Sequence, residues 1–249
     1  MLSQRFFQVK YVSSGGYVPG PGVVEILEEH FETPTTGYDV SWDEVDTGGA
    51  SIVTPTYSTS ISTWGTQCCR FNTGDWDYAC LVKNFTDTPD IYIHFEFILR
   101  SSKGAPSDPS SVVLLNVSGW FEERWSCYYE VYLDFVSGVD ALPKVTIGAQ
   151  CHNDDESQWM SSTGTEMSKD VRHTVDIKVH NAVTGGEIRW KVDGVEVGNN
   201  SYHFTSYDDE ELLAKFNTIQ IGCNANKNGS MEDMIVDIDN IRVTTDDWA

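Results

Sequence analysis

The sequence predicts an all-β fold: two antiparallel sheets packed as a sandwich, preceded by an extended arm and carrying one short helix. Three observations predict it. Apolar and polar residues alternate with period two along most of the chain, glycine-centred turns separate these runs, and only one segment has helical spacing. The 249 residues, 40% of them hydrophobic, supply enough apolar surface for a real core, which excludes a disordered acidic tail. With 16 Lys plus Arg against 38 Asp plus Glu, the formal net charge is −22. That balance opposes nucleic-acid phosphates and anionic membrane surfaces as partners. No apolar run approaches the roughly 20 residues that cross a bilayer. Arg5, Gln8 and Lys10 interrupt the first residues, so no export signal is expected and synthesis in a cytoplasm is.

Residues 1–26 read as an arm, because Val12 to Gly22 is rich in Gly and Pro and has no periodicity. Such an arm orders only against something. Docking on a neighbouring subunit is one expectation, and packing along its own domain is the other. Residues 27–249 form the sandwich domain. Ile91, Ile93, Phe95 and Phe97 alternate with Tyr92, His94 and Glu96. Val175, Ile177 and Val179 form a second row, and Ile188, Trp190 and Val192 a third. The dipeptide Asp193-Gly194 then predicts a type I′ hairpin turn into Val195 and Val197. Ile219, Ile221 and Cys223 continue the pattern, as do Ile235, Ile238, Ile241 and Val243 with one step slipped. The helix is expected over Tyr207 to Asn217, capped by Ser206, with Asp208, Asp209 and Glu210 in its first turn. Trp42 and Trp190 fall in strand patterns and are expected to pack in the core.

The stretch Arg172 to Gly198 (RHTVDIKVHNAVTGGEIRWKVDGVEVG), with Glu28 to Trp42 before it and Ile235 to Val243 after it, resembles the hairpins and terminal strands of laminin-G-like, concanavalin A-like jelly-roll domains. The order of the motifs carries this resemblance, which covers about Ile26 to Val243. It implies that first and last strands pair, closing the sheet. In carbohydrate-binding modules of this kind a calcium ion sits where those strands meet. The matching residues here are Glu32, Asp237 and Asp239, and calcium is the one cofactor the resemblance implies.

The six cysteines match no zinc spacing. A hairpin setting Asp134 near Lys144 brings Cys127 opposite Cys151, and a tighter one around Thr73-Gly74 brings Cys69 near Cys80. Each pair is either a cross-strand disulfide or two small buried side chains, and a cytosolic setting favours the reduced thiols.

Jelly-roll hydrolases carry acids spaced along one strand. The nearest run here, Glu44-Val45-Asp46, ends in Gly48-Gly49 and lacks a third acid. No nucleophile elbow and no His-Glu-x-x-His motif occurs. Nothing in the spacing of the six His and eleven Tyr selects a lyase site. No enzyme is therefore expected. His94, His173 and His180 read as lone surface histidines. Trp76 and Trp159 lie where loops are expected, and Trp159 with Asn153, Asp154 and Gln158 forms the candidate glycan site, aromatic face beside hydrogen-bonding side chains. A jelly roll without an evident active site, an export signal or a regular N-terminus resembles the decoration, head-fibre and tail proteins of tailed phages. The expectation is a non-enzymatic virion surface protein, its arm docked on other virion proteins or on copies of itself, with surface polysaccharide as a further partner. A free extracellular carbohydrate-binding module or lectin is the alternative, and a polysaccharide hydrolase or lyase the third reading.

Overall fold

A computed structural model describes residues 24–45, 50–53, 64–73, 79–102, 110–121, 124–135, 144–151, 157–159, 166–180, 186–202, 215–225 and 234–245. The expected arm lies outside these residues up to position 23. The alternating segments form strands β1 (Glu25–Glu29), β2 (Glu44–Val45), β3 (Ala50–Val53), β4 (Cys68–Thr73), β5 (Ala79–Thr88), β6 (Asp90–Ser102), β7 (Ser110–Phe121) and β8 (Arg124–Phe135). They continue with β9 (Lys144–Cys151), β10 (Ser157–Trp159), β11 (Arg172–His180), β12 (Gly186–Val192), β13 (Val195–Tyr202), β14 (Phe216–Ala225) and β15 (Met234–Thr244). One sheet runs β13-β12-β11-β6-β15-β4-β3, with β1 paired to the far half of β15; the other runs β10-β9-β8-β7-β14-β5-β2. Both are antiparallel, as an alternating pattern with one wet face requires.

The inward rows meet between the sheets. Ile91, Ile93, Phe95 and Phe97 of β6 pack with Val175, Ile177 and Val179 of β11 and with Trp190 of β12. From the opposite sheet come Leu115, Val117, Tyr129, Val131, Ile219 and Ile221, all buried. Trp42 is also buried there. Each such side chain contributes roughly 1.5–3 kcal/mol by leaving water. The ring of Tyr129 meets Phe216 edge-on at 5.3 Å, tying β8 to β14 across the sheet.

Local chemistry decides the turns and slips. Asp193 (φ 51°) and Gly194 (φ 74°) both take the left-handed conformation of a type I′ turn. The slip in the last strand is a bulge at Asn240 (φ 51°), which separates the inward Val236 and Ile238 from the inward Ile241 and Val243. Val236, not Ile235, takes the core position. The first and last strands pair, Leu27 opposite Val243 and Glu29 opposite Ile241. One boundary differs from expectation: Phe216 and Asn217, the end of the expected helix, open strand β14. Phe216 is fully buried, so its packing against Tyr129 overrides the helical spacing. Lys215 before them is described without helical structure, and positions 207–214 lie outside the described residues.

Candidate functional site

The outer faces of the two sheets differ in kind. On the sheet that holds the terminal strands, ionisable side chains bind one another. Asp176 on β11 accepts on one oxygen from the Tyr92 hydroxyl at 2.6 Å and lies 2.7 Å from His94 Nδ1. Burial works against the Asp176 charge, but these hydrogen bonds and the nearby His94 and Lys191 hold its carboxyl below the usual range. Burial and the Asp176 charge push the Tyr92 phenol up, so it stays protonated. The other ring nitrogen of His94 faces Glu96 at 3.9 Å. Glu96 in turn accepts from Trp64 Nε1, from Asn240 Nδ2 at 3.1 Å and from Arg172 Nη1 at 3.3 Å. His173 sits 2.9 Å from Asp193 and His180 sits 2.6 Å from Asp90. The three histidines expected to stand alone are thus each bound to an acid on the neighbouring strand or turn, which the sequence hides because those acids lie 20 to 90 positions away along the chain.

The calcium expectation meets the same network. Asp237 is fully buried and both its oxygens are taken: Arg70 Nε donates to Oδ1 at 2.7 Å and Arg100 Nε to Oδ2 at 2.7 Å. Glu32 accepts from the Gln67 amide at 2.8 Å and from the Thr66 hydroxyl at 2.7 Å. Asp239 is also buried. Its Oδ1 accepts from the Asn240 amide and its Oδ2 has no partner. Burial, with Glu96, Glu32 and Glu29 nearby, pushes its carboxyl up to about 8. Among the described residues no three His, Cys, Asp or Glu side chains come together to hold a metal ion. The donor set Glu32, Asp237, Asp239 does not fit calcium, because two arginines already neutralise its central member.

The seven-stranded sheet offers a different outer face. Tyr129, Val131 and Leu133 of β8 point to the core, so the alternate positions 128, 130, 132 and 134 belong to the outer face. Register extends that face across the sheet. One row runs Glu44, Val82, Gln220, Asn116, Glu130, Gly148, Trp159 through all seven strands. The adjacent row runs Asn84, Thr218, Ser118, Tyr128, Gln150, Ser157. These positions are dominated by hydrogen-bonding groups, and Gly148 places no side chain between Glu130 and the edge position of Trp159. Strands stand about 4.8 Å apart, so the Glu130 and Trp159 positions are separated by about two strand spacings. At one end Tyr132 is buried, whereas Asn116 and Gln220 are partly open.

The residues selected for a glycan site divide as follows. Trp159 stands on edge strand β10 rather than in a loop. Gln158 pairs with Ala149 and so takes the opposite face from Trp159. Asn153, Asp154 and Trp76 lie outside the described residues. Glu130 with its flanking Tyr128 and Tyr132 escaped sequence reasoning. The signal was present as Tyr-x-Glu-x-Tyr-x-Asp over 128–134, a polar period-two run opposite an apolar one. Cys127 pairs with Cys151 and Asp134 with Lys144, as the expected hairpin requires. Cys69 and Cys80 do not share a hairpin. They lie in β4 and β5, which belong to different sheets, and both are buried.

No family model and no curated protein matches the chain. Its fold, however, matches solved structures. The alginate lyase vAL-1 from Chlorella virus superposes with a TM-score of 0.58 at 10% identity, over 90% of this chain and all (100%) of the lyase. The PL-14 alginate lyase from Aplysia kurodai gives 0.51 at 12% identity, covering 76% of this chain and 87% of the other. The globular domain of T. cruzi calreticulin gives 0.52 at 11% identity, over 90% and 89%. The jelly-roll sandwich is thereby established. The expectation of a non-enzymatic display protein is overturned, because the sandwich this chain shares is one on which alginate lyases are built. The acid spacing of hydrolases, the nucleophile elbow and the His-Glu-x-x-His motif belong to other chemistries, so their absence does not exclude a lyase.

Proposed function

We propose that the chain is a polysaccharide lyase that binds its substrate across the outer face of the seven-stranded sheet. The observation that carries this reading is the polar row through all seven strands, with Glu130 near its centre and Trp159 at its edge. A sugar chain laid along such a row meets the hydrogen-bonding residues Glu44, Gln220, Asn116 and Glu130 and an aromatic residue at the edge strand.

The spacing of acids favours elimination over hydrolysis. Hydrolysis uses two carboxyl groups about 5–9.5 Å apart. On β8 the acids Glu130 and Asp134 are four residues apart, about 13 Å along the strand. Elimination needs one proton acceptor, one donor, and neutral hydrogen-bond donors for the substrate carboxylate. In this assignment Glu130 takes the proton α to a uronate carboxyl, and the electron pair of that C–H bond becomes the new C=C bond. The adjacent C–O bond breaks, and Tyr128 gives its proton to the departing oxygen. Glu130 and Tyr128 then reset by proton exchange through solvent. The amides of Asn116 and Gln220, from the same row, bind the carboxylate and stabilise the charge that develops on it.

Incubation with a panel of uronate and neutral polysaccharides tests the reading. The expected result is the ultraviolet absorbance of unsaturated uronate ends from at least one uronate polymer. Glu130→Gln and Tyr128→Phe should each lower kcat by about 100-fold or more while leaving binding in place. Reducing ends without unsaturation would make the chain a hydrolase, and binding without new ends would make it a lectin. Either outcome overturns the proposal.

A further inference from the structure

Strand register sorts the six cysteines in a way that their spacing does not. Cys68 stands opposite Val53, and Cys69 stands between Ile52 and Ile238. Cys80 is opposite Gly222 and Cys223 opposite Ala79, so those two occupy opposite faces of neighbouring strands. Cys127 alone has a cysteine across from it, Cys151, at the end of the β8–β9 ladder. Its neighbour on the other side is Gly119, which adds no side chain to the row. Directly opposed positions of an antiparallel pair have Cα atoms about 4.5–5.5 Å apart, within the range that a disulfide spans.

From this juxtaposition we infer that Cys127 and Cys151 are a redox-active pair that closes a cross-strand disulfide between β8 and β9 under oxidising conditions. Both thiols give up their protons and one electron each, and glutathione disulfide accepts them and leaves as two glutathione thiols. The bond staples the strand that carries Glu130 to the strand that carries Gly148, and so holds that part of the polar row in register. The inference stands on register alone and does not depend on the lyase reading.

Mass mapping of the full chain tests it. The protein is refolded from its reduced, unfolded state in a buffer of reduced and oxidised glutathione, alkylated, and digested without reductant. The expected product is a single peptide pair joining Cys127 to Cys151, which dithiothreitol separates. In Cys127→Ser the pair should vanish, with no new link among the remaining cysteines. Recovery of Cys127 and Cys151 both alkylated, or linked to other cysteines, would overturn the inference.

Discussion

Arg70 binds Asp237 with two parallel hydrogen bonds, Nε to Oδ1 at 2.7 Å and Nη2 to Oδ2 at 2.9 Å, from directly opposed positions on β4 and β15. Arg100 joins from the other side, at Oδ2, and extends to Asp170 at 3.0 Å. One fully buried carboxylate thus holds two guanidinium groups and ties β4, β6 and β15 together. Asp237→Asn should lower stability by about 3–5 kcal/mol, because it takes the carboxylate from Arg70 and leaves Arg100 only the exposed Asp170. The urea midpoint measures this. A loss below about 1 kcal/mol, the worth of a surface pair, would show that water screens the cluster.

Asp239 behaves in the opposite sense. Its folded carboxyl, pushed up to about 8 by burial and by Glu96, Glu32 and Glu29, keeps a proton that the unfolded chain releases near pH 4. Stability should therefore fall as pH rises from about 4 to about 8 and level off above. Glu29, raised by its burial, adds to the same slope. Asp176 and Asp193 are lowered, and their contribution appears instead as a loss of stability below about pH 4. Asp239→Asn should flatten the curve between pH 4 and 8 and leave the protein more stable than wild type at pH 8. Urea titrations at both ends of that window decide it, and an unchanged slope would refute the assignment.

Gly222 is required by its backbone. It holds φ at 148° in the bulge of β14, and a Cβ there would stand 2.1 Å from the Ala79 carbonyl oxygen. The neighbour is main chain of the adjacent strand and cannot rotate away. Gly222→Ala should cost at least about 1–3 kcal/mol and lower the thermal midpoint. A neutral substitution would mean that the bulge is not retained in solution.

The charge of −22 makes a specific kinetic prediction for a uronate polymer. Enzyme and substrate repel, so moderate salt should raise kcat/KM by screening that repulsion. The opposite trend, inhibition by salt, would point to binding through a basic track and away from the proposed row. Activity across a salt series measures it.

Trp159→Ala should raise KM or the dissociation constant by about 3- to 10-fold, the worth of one aromatic stacking contact, with kcat little changed. A selective fall in kcat would move Trp159 from the binding platform to the reacting centre.

What the sequence determined was local. Period-two alternation decided which side of β6, β11 and β12 enters the core, and Asp193-Gly194 decided a hairpin, since both depend only on neighbouring residues and backbone sterics. The Cys127–Cys151 alignment was legible for the same reason: one short hairpin sets it. Only the tertiary structure decided which distant strands stand side by side. That choice placed Asp176 against His94, Asp237 between two arginines, and Asn116 and Gln220 beside Glu130. These pairs lie far apart in the chain, and bulges at Gly222 and Asn240 shift their registers. A contact that rests on long-range register leaves no periodic trace in the sequence, and the polar face could emerge only once the strands were set in order.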